Sequence, residues 1–236
     1  NDNIAIGYQA MTTNTAGGTK NIALGNYALD ALTSGDNNVA VGHDALTANT
    51  TASSNTAIGR EAMKITTTGD SNVAVGSQAL LDNTTGAANV AIGTSALENN
   101  TTAANNTAVG TFAMIANTTG TANVAVGKDA LQDNTTGDAN TAIGYQALLE
   151  ATTTHDNTAV GYYALKNLTT GAGNVAVGKA ALANNQGSAN IGVGFGALQA
   201  NTTGTRNIAI GYTAYDGSDT ENDNLAIGYA AMTTNT

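Results

Sequence analysis

The pattern of apolar and polar positions along this chain is short and restated throughout. Asn, a branched residue, Ala, an aliphatic residue and Gly are followed by two variable residues and then Ala-Leu, as in "NVAVGKDAL" at 123–131 and "NTAIGYQAL" at 140–148. Numbered from its Asn, the unit starts at residues 3, 21, 38, 55, 72, 89, 106, 123, 140, 157, 174, 190, 207 and 224. Eleven of the thirteen steps are 17 residues long, one is 18 and one is 16. Position 3 is Ala in every copy but one, where Gly192 stands, and position 4 is always Val, Ile or Leu. Alternation with period two predicts a short strand over positions 2 to 4, with 2 and 4 on one face and 3 on the other. Neither face is polar, which is the pattern of a strand covered on both sides. Gly and β-branched residues dominate this stretch, so a helix is excluded.

A fixed period that fills a chain predicts a solenoid. The expected fold is all-β: a parallel β-roll or β-solenoid of about 14 coils, one per unit, forming a single array over residues 1–236. Stacking places like residues over one another. The position-1 Asn side chains then form a hydrogen-bonded ladder, and the position-5 Gly supplies a backbone angle or a close approach that a Cβ would forbid. At about 4.7 to 4.9 Å per strand, fourteen coils make a rod roughly 65 Å long. The 18- and 16-residue units change length within "NTAGGTK" and "NNQGSA", outside the strand letters, as loops allow and a core ladder does not. Position 9 is Leu, Met or, at Tyr215, Tyr, and is read as apolar core together with positions 2 and 4. All 24 charged residues fall at positions 6, 7 and 10 to 17, so those parts are expected to face water. A lone thin coil has only one interior, and the second covered face asks for a neighbour.

Composition narrows the function. The net charge of −10 disfavours a nucleic-acid backbone or an anionic membrane as partner. Cys is absent, so there is neither a disulfide framework nor a thiolate metal site. No apolar run approaches the length of about 18 residues needed to span a membrane. The opening "NDNIAIGYQAMTTNT" and the closing "NDNLAIGYAAMTTNT" agree at 13 of 15 positions, which suggests a longer period laid over the short one. The chain ends inside a unit and is read as part of something longer.

Catalytic, metal and cofactor sites find no support in the pattern. His43 and His155 stand at different unit positions, and Ser53 and Ser54 lie in a different part of the coil from His43. "GVGFG" at 192–196 resembles a phosphate-cradling loop but has no following helix to supply a dipole. The Asp residues Asp36, Asp70 and Asp138 occupy one unit position but are replaced by Ala, Thr or Ser elsewhere, unlike a calcium-binding nonapeptide array. The Asn-Thr-Thr triplets match glycosylation acceptors and also read as stacked turn residues.

Position 6 varies most tellingly. Six of its fourteen residues are aromatic, Tyr8, Tyr145, Tyr162, Phe195, Tyr212 and Tyr229, in a chain with ten aromatics in all. They are candidates for surface contact with a ligand; the alternative is that they shield the ladder edge.

"NVAVG", "NTAIG" and "NIAIG" followed by "AL" resemble the head repeats of trimeric autotransporter adhesins, the YadA-like head, and similar units occur in bacteriophage tail-fibre proteins. The resemblance covers all fourteen units. It implies a left-handed β-roll, three copies side by side, displayed outside the cell or on a virion and used for attachment to a host-surface protein or glycan. The "NTTG" arm departs from it, since the adhesin repeats are usually a few residues shorter. The expected function is therefore a non-enzymatic extracellular adhesive or structural fibre, without cofactor, assembled from identical chains. A tail-fibre shaft is the alternative, and an ice-binding solenoid carrying Thr at positions 13 and 14 a more distant one.

Overall fold

The computed structural model describes residues 2–14, 16–217 and 219–233. The chain divides into two compact units, residues 1–121 and 122–236, and the same repeat runs through both. In the first unit lie β1 (Ile4–Ile6), β2 (Ile22–Leu24), β3 (Val39–Val41), β4 (Thr56–Ile58), β5 (Val73–Val75), β6 (Val90–Ile92) and β7 (Thr107–Val109). In the second lie β8 (Val124–Val126), β9 (Thr141–Ile143), β10 (Thr158–Val160), β11 (Val175–Val177), β12 (Ile191–Val193), β13 (Ile208–Ile210) and β14 (Leu225–Ile227). Each strand covers positions 2 to 4 of its repeat. Within each unit successive strands pair in parallel and in strict register, so that Ala40 lies beside Ala57 and Ala57 beside Ala74, and likewise Ala142 beside Ala159 and Ala159 beside Ala176. Each unit is a parallel β-solenoid with one strand per coil. The longer and the shorter repeat leave the register intact: Ala5 pairs with Ala23 across the 18-residue step, and Ala176 with Gly192 across the 16-residue step.

The interior is one side chain deep. Ala at positions 3 and 8 and Leu or Met at position 9 are fully buried in the inner coils, for example Ala74, Ala79 and Leu80, or Ala176, Ala181 and Leu182. So narrow a space accepts Ala and little more at position 3. Between them runs the position-1 Asn ladder. The backbone N–H of Asn72 donates to Asn55 Oδ1 at 2.9 Å, and its Nδ2 donates to the same oxygen at 3.2 Å and to the Gly86 carbonyl, farther round its own coil, at 2.9 Å. Asn174 repeats the arrangement with Asn157 Oδ1 and the Gly187 carbonyl. The side-chain amides of both these rungs are satisfied, as burial requires.

Positions 10 to 17 do not all face water. In the inner coils position 12 is fully buried and forms a second column, in which Asn100 Nδ2 donates to Asn83 Oδ1 at 2.9 Å and to the Ala103 carbonyl at 3.2 Å. Leu32 and Leu168 fill the same place in other coils. Position 15 is also buried, as at Ala52 and Ala103.

The corners of the coil are made by left-handed residues. Gly127 at position 5 has φ 134°, and a Cβ there would stand 2.5 Å from the Gly144 carbonyl oxygen, so angle and space both demand Gly. Positions 7, 9 and 17 are left-handed as well, and there the residues are mostly not Gly: Gln78 has φ 60°, Leu80 φ 54° and Ala88 φ 56°.

Candidate interaction surface

Inward Ala at position 3 forces its two neighbours outward. Positions 2 and 4 therefore form two parallel columns of Val, Ile, Leu and Thr on the outer face of the sheet, half-buried or exposed in every coil. Of the three positions expected to form apolar core, only position 9 is buried within the chain. Ile58, Ile92, Ile143, Val177 and Ile210 are among the large apolar side chains left open.

Beside these columns, past the Gly corner, stands position 6. In the unit of residues 122–236 all seven of its residues are aromatic or Lys: Lys128, Tyr145, Tyr162, Lys179, Phe195, Tyr212 and Tyr229. The rings of Tyr145 and Tyr162 stack at 5.3 Å between centroids, Phe195 and Tyr212 at 5.0 Å, and Tyr212 and Tyr229 at 5.3 Å. Lys179 bridges the two runs, its ammonium 5.5 Å from the centroids of both Tyr162 and Phe195, and Lys128 lies 5.7 Å from Tyr145. Position 7 adds Tyr163, whose ring is 4.0 Å from that of Tyr162, with Lys166 4.6 Å above it. Cations over ring faces at these distances attract the ring quadrupole. A hydrogen bond with Tyr163, together with desolvation and the neighbouring phenols, holds the Tyr162 hydroxyl above the usual phenol range. The column stays open to solvent, Tyr212 by 49% and Tyr229 by 79%. Five of the six candidate aromatics thus belong to one ridge.

The sixth, Tyr8, sits in the other unit, packed edge-on against Tyr27 at 5.5 Å, with His43 beyond Tyr27. There position 6 goes on as Asn26, His43, Arg60, Ser77, Thr94 and Thr111, and the neighbouring chemistry is ionic. Lys64 meets Asp44 at 3.1 Å and Glu61 at 3.2 Å, and these bonds raise its pKa above the ordinary lysine value. Sequence reading treated position 6 as one column. It missed the three lysines that lie against the rings, although the place of Lys128 and Lys179 at position 6 was legible in the spacing.

The remaining chemical signals resolve into structure. Asp36 accepts the backbone N–H and hydroxyl of Thr19 at 2.6 and 2.9 Å, which hold its carboxyl below the ordinary range, and Asp70 accepts the N–H of Ser53 at 2.7 Å. Gly192 is a buried strand residue in β12. Asn49, Asn83, Asn100 and Asn201 of the Asn-Thr-Thr triplets are fully buried, closed to a glycosyltransferase once folded. The position-13 hydroxyls turn to the next coil, as Thr84 Oγ1 does to the Thr101 carbonyl at 3.0 Å, while the position-14 residues Thr51, Thr68, Thr85, Thr102 and Thr119 are exposed. His43 and His155 each lie beside the adjacent Asp, at 3.3 and 2.8 Å. Among the described residues no three His, Asp or Glu side chains cluster closely enough to hold a metal ion, and no helix is long and apolar enough to cross a membrane. No protein-family model and no curated protein matches this chain.

Proposed function

We propose that this protein is a non-enzymatic, extracellular attachment fibre in which identical chains lie side by side, three to an assembly and left-handed, as the likeness to the YadA-like head implies. The observation that carries the reading is the pair of outward apolar columns at positions 2 and 4. Apolar surface removed from water contributes about 25 cal/mol per Å², and a contiguous open stripe of this kind marks a contact site. The stripe repeats once per coil, so its best-matched cover is another solenoid of the same rise. A second copy of this chain supplies one. The host-facing partner is then a surface protein or glycan met by the residues left outside that contact.

Sedimentation equilibrium on the purified protein is the test. A mass of three chains is expected, and a stably folded single chain would overturn the proposal. The exposed Thr column at position 14 is the one feature that a water-ordering solenoid would share. Only one column is free there, because the position-13 hydroxyls are engaged, so freezing-point measurements are expected to show no thermal hysteresis.

A further inference from the structure

We infer that the position-6 ridge of residues 122–236 is a binding site for a linear polysaccharide that carries carboxylates at intervals. This inference rests on the attachment reading and names the chemistry of its ligand.

Three of the four basic side chains in that unit, Lys128, Lys166 and Lys179, lie against the rings of a single surface ridge. Among the described residues one carboxylate is paired with them, Asp129, 3.6 Å from the Lys128 ammonium and nearly buried. The ridge is thus positive on a chain of net charge −10, the opposite of what chance placement on an acidic surface would leave. Complementarity calls for an anion. The cations are sparse: Lys128 and Lys179 are three coils apart, roughly 14 Å at strand spacing. A polyanion charged at every step would leave most of its charges unmet by these three ammoniums. A polymer with a carboxylate every second or third unit matches.

Ring geometry separates a sugar polymer from a single-stranded nucleic acid. Bases bind such platforms by stacking on free aromatic faces. Here the faces are turned to one another, with interplanar angles of 9° for Phe195–Tyr212 and 8° for Tyr212–Tyr229. What the ridge offers outward is ring edges, phenol hydroxyls and ammoniums. That rim suits a polyhydroxylated ligand, since each phenol both donates and accepts. Its regular repeat lets a repeating ligand engage several coils at once.

The test uses the intact protein and a fluorescent hyaluronan oligosaccharide, which bears one carboxylate per disaccharide, with its carboxyl-reduced form and oligothymidylate as competitors. Hyaluronan is expected to bind, to weaken with added salt, and to be displaced by neither competitor. Replacing both lysines (Lys128→Ser with Lys179→Ser), or two rings (Tyr162→Thr with Tyr212→Thr), is expected to weaken binding about tenfold or more. Arg60→Ser, outside the ridge, is expected to leave it unchanged. The coil tolerates these replacements, because Ser77, Thr94 and Thr111 already occupy position 6 elsewhere. Absence of hyaluronan binding, equal binding of the reduced form, preference for oligothymidylate, or undiminished binding in the ridge variants would each overturn the proposal. Sedimentation of the same samples keeps the two readings apart. A three-chain mass without hyaluronan binding sinks only the ligand, and a single-chain mass with binding sinks only the assembly.

Discussion

Position 17, the residue before each ladder Asn, is left-handed throughout, yet Ala occupies it at Ala88, Ala122, Ala139 and Ala189. A side chain with a Cβ is disfavoured there by about 1 to 2 kcal/mol, whereas Asn, found at the same place as Asn37 and Asn105, tolerates the conformation by local hydrogen bonding. Ala88→Asn is therefore expected to stabilise the fold by about 0.5 to 1 kcal/mol, read as a higher thermal midpoint. Asp133 offers a check of opposite character. Burial pushes its carboxyl above the ordinary value, so the ionised form is disfavoured in the folded chain. The folded state thus loses stability as pH rises through that raised value. Below the unfolded value, about 3.9, both states are protonated and the difference is gone. Asp133→Asn is expected to raise the thermal midpoint at pH 7 and to match the parent below about pH 3.9, which melting curves at the two pH values would show.

At the scale of the coil, the strand and its ladder were legible in the letters. Period two placed the Ala inward, the near-invariant Asn predicted a rung, and Gly marked the corner. The left-handed residues at positions 7 and 9 were not legible. Leu and Gln carry no mark of positive φ, and the stack of backbone bonds imposes it, as where Leu80 N–H donates to the Ala96 carbonyl at 2.9 Å. The buried column at position 12 was misread as solvent-facing, because Asn is a turn residue as often as a ladder residue. The available clue was that no copy carries a charge there. Replacing a rung tests the ladder: Asn72→Ala would orphan the Asn89 N–H, which now donates to Asn72 Oδ1 at 2.9 Å, while the Gly86 carbonyl keeps Asn83 Nδ2 at 3.0 Å and Asn55 Oδ1 keeps the backbone N–H of residue 72. With about 1 to 3 kcal/mol for a buried group left unpaired, a loss of about that size is expected in denaturant unfolding.

At the scale of the whole molecule, the outward columns decide what a charge does. Val126 ends β8 on the outer face, half-buried in the single chain, whereas the Lys128 side chain is 57% exposed on the ridge beyond it. Val126→Asp is expected to break the proposed multi-chain assembly, since an unpaired carboxylate buried between apolar faces costs several kcal/mol, while Lys128→Asp is expected to leave it whole. Light scattering of both variants would show one dissociated and one intact, and equal masses would refute the assignment of faces. The candidate ridge itself was half legible: the aromatics stood out in the letters, but their concentration in residues 122–236 and the lysines between them emerged only when equivalent positions were laid over one another.

The Asn rungs have a direction. Each side chain closes its own coil through Nδ2 and then holds out its oxygen to the amide of the coil that follows, so every completed turn is a primed template and every incomplete one is not. A nascent chain leaving the ribosome amino end first would meet its template already built, adding turns as a zipper adds teeth. Time-resolved protection of the Asn amides during refolding is expected to show earlier coils closing before later ones within a unit.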